Sequence, residues 1–270
     1  MKEGCYCLST GEVIRCRSVG EGKTIVLFHG FGIDSTVWDG VLPYLIKKFR
    51  VVLVDLPGYG QNTHLWRADL SVFAEFFKAV FVREKGASIV AYSFGGNMLL
   101  RYLQQERATI PKGIIFLSAP IKEGMLSKLT SLFLGFCSLS NLVSSVIISL
   151  LTRPPLRSII IRVGGLVALT DEKIIDYCVH RIIHFENPSF LCKTLACVFL
   201  PLRRGAVIQC EVVGLFGEHD GFVSRKKDGT LLSRFFSSYN ERVIPGVFHL
   251  SPLENPKALA GNMVEILETH

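Results

Sequence analysis

Charged residues are scarce in this chain: Asp, Glu, Lys and Arg make up 20% of its 270 residues, whereas hydrophobic residues make up 49%. This composition excludes an intrinsically disordered chain, which combines few apolar residues with a high net charge. Collagen-like and heptad repeats are also lacking, so a fibrous or coiled-coil protein is excluded. The length suits one globular domain, or one domain that carries an insertion.

The N-terminal residues lack the apolar segment of a secretory signal peptide, and no small-residue cleavage site follows them. We therefore expect a cytoplasmic protein whose eight cysteines stay reduced. Cys5 and Cys7 would share one face of a strand, but Cys16 is the one nearby cysteine that could join them as a metal ligand. The cysteines are interpreted as small hydrophobic residues, and no metal is predicted.

Acidic residues are in deficit, since 30 Lys and Arg face 23 Asp and Glu and give a formal net charge of +7. Such an excess suits nucleic acid, a membrane surface or an acidic partner. Basic pairs such as Arg203-Arg204 are present, but aromatic residues do not interleave with them and no nucleic-acid-binding motif occurs. Nucleic-acid binding is therefore not expected.

Short apolar runs alternate with segments of helical periodicity along most of the chain. Strands are predicted at 24–28, 50–55, 88–92, 113–117, 208–217 and 241–244, and helices at 68–85, 97–105 and 256–269. Near-continuous apolar strands separated by helices predict the α/β class, with a mostly parallel sheet covered on both faces. Residues 121–205 break this alternation and are interpreted as an inserted helical cap, so the core comprises residues 1–120 and 206–270.

One stretch of the insertion, residues 129–152, contains no charged residue and is long enough to span a bilayer. A membrane span, an interfacial amphipathic contact and a cap over an apolar pocket are the three interpretations. Several serines make the stretch polar for a span, and a span would separate residues that the site described next requires together. A cap over an apolar pocket is the interpretation that we favour.

A strand, a tight turn and a helix are predicted around Ser93, in the run Ser88-Ile-Val-Ala-Tyr-Ser-Phe-Gly-Gly96. Ala91 and Gly95 flank the serine at two residues' distance, where larger side chains would collide with the sheet. A turn of this kind lifts a serine Oγ above the carboxyl edge of a sheet, at a helix N-terminus. Ser93 is therefore a candidate nucleophile, although a serine that merely caps a helix would fit the same turn.

A serine hydroxyl needs a base to take its proton, and a base is oriented by an acid. His249 follows the last predicted strand, and Asp220 follows the strand before it. Glu218 and His219 are the alternative acid and base, and an ordinary Asp-Gly turn is the alternative interpretation of Asp220. We choose Ser93, Asp220 and His249, because each lies on a loop after a predicted strand.

The order Ser, Asp, His on such loops is that of the α/β-hydrolase superfamily, which the sequence resembles across most of its length, excepting the insertion. The resemblance implies that His29, Gly30 and Gly32 belong to an oxyanion loop, in which the amides of Phe31 and Phe94 bind the developing oxyanion. Residues 55–60, Asp-Leu-Pro-Gly-Tyr-Gly, look like a structural turn of that superfamily, which often has serine where this chain has Asn62. A serine at the turn argues against the dehalogenases and epoxide hydrolases of this fold, whose nucleophile is aspartate. No cofactor is implied.

A closer resemblance is to the pimeloyl-ACP methyl ester esterases of biotin synthesis. It is carried by His29-Gly-Phe-Gly32, Val54-Asp-Leu-Pro-Gly-Tyr-Gly60 and Asp220-Gly-Phe-Val-Ser-Arg-Lys226, where Ser224 replaces the family's proline. It implies a serine carboxylesterase and an acyl ester carried on acyl carrier protein. A membrane-surface lipase or monoacylglycerol lipase, an acyl thioesterase, and a non-catalytic binding protein with a hydrolase fold remain as alternatives.

The insertion holds most of the positive charge, with ten Lys and Arg against five Asp and Glu, a net charge of about +5. Arg153, Arg157 and Arg162 lie close together in sequence and are candidate contacts to an acidic partner. A solvated surface and a peripheral contact with anionic lipid are the other interpretations. His180 and His184 have the spacing of zinc ligands on a helix, but Arg181 stands where a metalloprotease has glutamate, so no metal is predicted there.

Overall fold

The structure is a computed structural model that describes residues 1–65, 70–105, 110–122, 125–153, 156, 172–183, 185–202, 205 and 207–269. Strands are β1 (Lys2–Cys7), β2 (Val13–Val19), β3 (Lys23–Phe28), β4 (Phe49–Val54), β5 (Ser88–Tyr92), β6 (Gly113–Leu117), β7 (Ile208–Gly217) and β8 (Phe236–Ile244). Helices are α1 (Leu42–Leu45), α2 (Leu70–Arg83), α3 (Phe94–Leu103), α4 (Met125–Cys137), α5 (Asn141–Thr152), α6 (Glu172–Ile183), α7 (Pro188–Val198), α8 (Thr230–Ser233), α9 (Ser251–Glu254) and α10 (Pro256–Thr269). Short 3₁₀ turns at Ser35–Trp38 and Gly60–Leu65 and a π turn at Arg225–Gly229 complete the described elements.

The described strands form one eight-stranded sheet in the order β1-β2-β4-β3-β5-β6-β7-β8. The strands from β4 to β8 in this order are parallel, whereas β2 pairs antiparallel with both β1 and β4. The α/β class with a mostly parallel sheet flanked by helices is confirmed. The carboxyl ends of the parallel strands therefore meet at one edge of the sheet, where the predicted site residues lie.

The central strands are buried because helices cover both faces of the sheet. One apolar cluster packs α2 and α3 against the sheet through residues such as Phe28, Phe76 and Phe116. The other cluster packs α10 and the α1 region against the opposite face, with Trp38 and Met263 among its members. Near-continuous burial explains why β3 to β6 are apolar at almost every position.

The described residues between β6 and β7 form α4, α5, α6 and α7. The uncharged stretch 129–152 is divided at 138–140 between α4 and α5, and no helix within the described ranges is long and apolar enough to cross a membrane. Helix α7 begins where Asn187 caps it by accepting from the Phe190 N–H and Pro188 occupies its first turn. The exact cap boundaries, 121 and 205, stay a prediction.

The turn at residues 55–60 supports this cap. A Cβ at Gly58 would lie 2.1 Å from the Phe190 ring of α7, so glycine is required where the ring rests on the turn. The buried Tyr59 hydroxyl and the Thr194 hydroxyl of α7 lie 3.1 Å apart, and the Tyr59 ring contacts Phe190. The 55–60 turn, which resembles a structural motif of the superfamily, is therefore also a surface against which helix α7 of the cap packs.

Candidate active site

Ser93 stands at a strained turn between β5 and α3. Its backbone has φ 48° and ψ −115°, a region that non-glycine residues rarely adopt. The Ser93 N–H donates to the Leu117 carbonyl at the end of the neighbouring strand, and the Asn97 N–H of α3 donates to the Ser93 carbonyl. These bonds hold the strained conformation, and the turn places the hydroxyl at the carboxyl edge of the sheet.

Small residues make this turn possible, as the sequence predicts. A Cβ at Gly95 would lie 2.6 Å from the His29 carbonyl oxygen, and one at Gly96 would lie 2.6 Å from the Ala119 Cβ. Helix α3 thus approaches the sheet more closely than any larger residue at these two positions would permit.

The structure brings Ser93, His249 and Asp220 into one hydrogen-bonded chain. Ser93 Oγ lies 2.9 Å from His249 Nε2, and His249 Nδ1 lies 2.9 Å from Asp220 Oδ2. Because a carboxylate only accepts, Nδ1 carries the proton in the neutral ring and Nε2 is free to accept from the serine hydroxyl. All three side chains are buried, and that of Asp220 is completely so.

Of the two acids that follow β7, Asp220 is hydrogen-bonded to His249 and Glu218 is not. The second carboxylate oxygen of Asp220 accepts from the backbone amides of Phe222 and Val223, at 3.0 and 2.8 Å. Glu218 is exposed and accepts from the Gly246 amide, whereas the alternative base His219 is half exposed beside Glu218. Full hydrogen bonding of Asp220 offsets the cost of burying its charge.

Groups that the sequence did not reveal hold the loops of Asp220 and His249. The Tyr92 hydroxyl donates to the His249 carbonyl at 3.0 Å, and burial raises the Tyr92 pKa well above its ordinary value, so this donor stays protonated. The Phe222 ring packs edge-on against the His249 ring. Lys122 Nζ donates to the Phe222 carbonyl. These partners lie 27 to 157 residues apart in sequence, and no local motif signals such contacts.

Asp228 is a second buried acid beside this loop. It accepts from the Ile121 and Ser224 amides and forms an ion pair with Lys122. Asp228 therefore ties the loop that follows β7 to the start of the cap segment.

The loop that the sequence associates with an oxyanion is fixed by His29. The Leu56 N–H donates to His29 Nε2, and His29 Nδ1 lies 2.8 Å from the Gly30 carbonyl, to which it donates in this tautomer. Burial lowers the pKa of His29, which keeps the ring neutral and suited to this pair of bonds. A Cβ at Gly30 would lie 3.1 Å from the Tyr92 ring, and the Phe31 and Phe94 rings meet edge to face. Gly32, with φ +70°, lies beneath Ile182 of α6.

The side chains of Asp55 and Asn62 form hydrogen bonds with backbone groups of the turn and its neighbours. The Asp55 carboxylate accepts from the amides of Ser35 and Gln61. The Asn62 side chain donates to the Asp55 carbonyl and accepts from the Arg15 amide of β2. The asparagine thus ties the turn to the antiparallel edge of the sheet.

An apolar cavity of about 360 Å³ opens above Ser93 and His249, between the sheet edge and the cap. Its wall includes Phe31 from the core, Leu134 and Ile148 from α4 and α5, and Ile182 from α6. No Asp, Glu, Lys or Arg is among the described residues that line it. Cys178 also lines it, and burial raises the pKa of this thiol to about 12, so the thiol stays protonated.

A larger cleft of about 540 Å³ lies apart from these residues, between α6 and the 55–60 turn. It is lined by polar groups, among them Asp34 and Arg181, which form an ion pair, and it contains neither Ser93 nor His249. Of the remaining candidates, Arg153 is exposed at the end of α5, whereas Arg157, Arg162 and His184 lie outside the described residues. Among the described residues, no group of three or more His, Cys, Asp or Glu could hold a metal ion.

Comparisons with known proteins agree with this architecture. Residues 23–135 match the family described as the alpha/beta hydrolase fold. The pimeloyl-[acyl-carrier protein] methyl ester esterase of Legionella pneumophila (strain Lens) is 36% identical over 104 residues, which are 37% of this chain and 40% of that relative. The enzyme of the same name from Vibrio vulnificus (strain YJ016) is 34% identical over 101 residues, 37% of this chain and 39% of that relative. The matches thus span about 40% of the length of these curated relatives.

Solved structures resemble the chain over its full length. A thermophilic esterase from Thermogutta terrifontis has a TM-score of 0.74 at 17% identity, with 100% of this chain and 99% of that chain covered. A bromoperoxidase from Bacillus anthracis has the same TM-score and identity, with 99% and 100% covered. At such identities the likeness concerns the fold. The fold of this chain is therefore that of the α/β-hydrolases, and part of its sequence is similar to the pimeloyl-[acyl-carrier protein] methyl ester esterases.

Proposed function

We propose that this protein is a serine carboxylic-ester hydrolase. The observation that carries the proposal is the buried chain of two hydrogen bonds that joins Ser93 Oγ, His249 and Asp220 at the floor of an apolar cavity. A hydroxyl whose proton is directed at a neutral imidazole is an activated nucleophile. A cavity that opens directly above it supplies the place for an acyl group.

The reaction follows from this geometry. Ser93 Oγ attacks the acyl carbonyl carbon while His249 Nε2 takes the hydroxyl proton. The tetrahedral intermediate expels the alcohol, which receives that proton, and leaves an acyl-enzyme. His249 then takes a proton from water, the resulting hydroxide attacks the acyl carbon, and Ser93 is released with its proton restored. Asp220 stabilises the imidazolium that exists between these transfers.

The oxyanion of each tetrahedral intermediate is assigned to the backbone amides of Phe31 and Phe94. Phe94 is the first residue of α3, so its N–H belongs to the unpaired amides of a helix N-terminus. Phe31 follows Gly30, where an added Cβ would lie 3.3 Å from the Ser93 Cβ, so the absence of a side chain at Gly30 lets the loop lie close to the serine. One such donor typically contributes about 3–4 kcal/mol of transition-state stabilisation.

The cavity wall favours a neutral, apolar acyl group. Its described lining offers carbon atoms almost throughout and no cation that would pair with a free carboxylate near the acyl chain. The curated relatives are named for one such ester, pimeloyl-[acyl-carrier protein] methyl ester, whose aliphatic chain lies between two acyl groups. We propose this ester as the substrate, with a simple acyl ester of a lipid or an acyl thioester as the alternatives.

An acidic carrier would meet the cationic cap. Arg153 is exposed beside the cavity wall formed by α5, and Arg157 and Arg162 follow it in sequence. These arginines are the candidate carrier contacts, and the cap, on which substrate choice depends, lies mostly outside the matched residues 23–135.

Hydrolysis of p-nitrophenyl acetate, butyrate and octanoate tests the chemistry. The wild-type protein should hydrolyse them, and Ser93→Ala should lose at least about a thousandfold in kcat. Ser118→Ala is the matched control, because Ser118 is also buried after a parallel strand but its hydroxyl has no partner. Absence of turnover by a folded wild-type protein would instead favour the non-catalytic binding protein.

Complementation tests the substrate. The gene should restore growth without biotin to a bacterial strain that lacks its pimeloyl-ACP methyl ester esterase, and the Ser93→Ala variant should not. Failure of a well-expressed, esterase-active protein would reject this substrate while leaving the ester hydrolase intact.

A further inference from the structure

The outer face of α4 and α5 exposes an unusual number of large apolar side chains. Leu132, Phe136 and Leu142 are 71%, 69% and 74% exposed. The full set, called the outer apolar face below, comprises Met125, Leu129, Leu132, Phe133, Phe136, Leu139, Leu142, Val143, Val146 and Leu150. The members from α4 recur at intervals of three and four residues, which places them on one side of that helix. Contiguous exposed apolar patches of this kind mark surfaces that meet another molecule.

Three serines of the same helices turn inward, whereas Ser145 and Ser149 of α5 are exposed. Ser131 Oγ donates to the Ala196 carbonyl of α7, and Ser127 Oγ donates to the Phe199 carbonyl at the end of α7. Ser144 Oγ donates to the Cys137 carbonyl, which closes the end of α4. Three serines are thus buried and satisfied, while leucine and phenylalanine face outward. A helix that faces only water would expose far fewer large apolar side chains than these two helices do.

The charges of this segment are few and of one sign. Residues 125–153 contain no Asp or Glu, and their charged residues are Lys128 and Arg153, both exposed. Lys128 lies on the same side of α4 as Leu129 and Leu132. An apolar face that carries two cations and no acid is complementary to a bilayer with anionic headgroups, which attract the cations while the apolar side chains enter the acyl boundary. An acidic protein would be matched by a face with more cations and fewer leucines.

We propose that the outer apolar face docks the protein on an anionic membrane surface. Leu151 of α5 both lines the cavity and is 45% exposed, so it lies at the cavity opening beside this face. Docking would bring that opening to the lipid boundary, from which the alternative substrate, an acyl ester of a lipid, could reach Ser93. The docking itself stands without the proposed chemistry, whereas the delivery of substrate rests on it.

Vesicle flotation tests the docking. Full-length protein is mixed with vesicles of phosphatidylcholine containing about a third phosphatidylglycerol, at low and at high salt. Wild-type protein should float at low salt, and Leu132→Ser/Phe136→Ser should reduce the bound fraction at least about tenfold. Val82→Ser/Val207→Ser is the matched control, because these side chains are 64% and 50% exposed outside the cap and their replacement should leave flotation unchanged.

Two further variants sharpen the result. Lys128→Gln should weaken binding to the anionic vesicles and leave the weaker binding to pure phosphatidylcholine unchanged. Ser93→Ala should float as the wild type does, so a failure of the proposed chemistry and a failure of docking are distinguished.

The proposal is overturned if the wild-type protein does not float, or if the Leu132→Ser/Phe136→Ser variant, folded by circular dichroism, floats equally well. It is also overturned if that variant abolishes a dimer in sedimentation velocity, or abolishes binding of an acyl carrier protein, while vesicles bind neither form. Those results would assign the face to a second copy of the chain or to an acidic protein.

Discussion

Asp220 shows how a buried carboxylate is confined to one task. One of its oxygens faces the His249 ring, and the other accepts from two backbone amides of its own loop. The carboxylate therefore cannot turn away from the imidazole without breaking three hydrogen bonds. Glu218, two residues earlier, lies at the surface, where its carboxylate accepts a hydrogen bond from the Gly246 amide.

Asp220→Asn should lower kcat for p-nitrophenyl butyrate by about 10⁴-fold with a near-normal fold, because the amide favours the wrong imidazole tautomer. Glu218→Gln, the matched change on the neighbouring acid, should retain wild-type kcat. Equal losses in both variants would contradict the assignment of Asp220.

His29 makes stability depend on pH. Burial lowers its pKa in the folded state. Between the folded and unfolded pKa values, His29 therefore binds a proton in the unfolded chain but not in the folded chain. The contribution of His29 to the free energy of unfolding is therefore fully present above its unfolded-state pKa near 6.5. It falls as the pH drops below that value, by at most about 1.4 kcal/mol per pH unit.

Urea unfolding between about pH 7.5 and 5.5 should show a shallower loss of stability in His29→Gln than in the wild type. His64→Gln, at an exposed histidine, should keep the wild-type dependence. An unchanged slope in His29→Gln would show that His29 is not the responsible group.

At the scale of the element, helix α3 depends on two consecutive glycines for its approach to the sheet. Gly96→Ala would force a Cβ to within 2.6 Å of the Ala119 Cβ and should reduce the free energy of unfolding by about 1–3 kcal/mol. Gly261→Ala is the opposite case, because Gly261 lies inside α10 with nothing within 4 Å of its ideal Cβ. It should stabilise the protein by about 0.5–1 kcal/mol. Urea denaturation of both variants checks the pair, and the same sign in both would contradict the packing argument.

Helix α5 contributes Ile147, Ile148 and Leu151 to the cavity wall. Ile148→Trp fills space above Ser93 and should lower kcat/KM for p-nitrophenyl octanoate at least about tenfold more than for the acetate. Leu142→Trp, on the outward side of the same helix, should leave the ratio of the two substrates unchanged. A proportional loss for both substrates in Ile148→Trp would mean that the cavity does not hold the acyl chain.

The buried strands and the amphipathic helices could be predicted from the sequence, whereas strands β1 and β2 were not predicted. Strands β3 to β7 stand out because nearly every residue is apolar, and the Ser93 turn because its neighbours are small. Strand β1, Lys2–Cys7, is exposed at five of its six positions, so it carries no apolar signal and its antiparallel pairing with β2 went unpredicted. The contacts of Tyr92, Lys122 and Phe222 depend on tertiary neighbours, which periodicity does not encode.

At the scale of the whole molecule, the sheet edge carries the proposed reacting side chains, and the helices between β6 and β7 form much of the cavity wall. The low content of charged residues is explained in part by the uncharged stretch 129–152, which forms most of α4 and α5. One side of these helices lines the apolar cavity, and the other side is exposed. Two of the cap's cations, Lys122 and Arg181, are held in ion pairs with Asp228 and Asp34. Lys128, Arg153, Lys173 and Lys193 of the same segment are exposed to an external partner.

The most direct test of the proposed activity is covalent labelling by a fluorophosphonate, with the adduct located by peptide mass spectrometry. We expect one modified residue, Ser93, with no labelling in Ser93→Ala and much slower labelling in Asp220→Asn. Labelling of a different residue, or none in the folded wild-type protein, would contradict it.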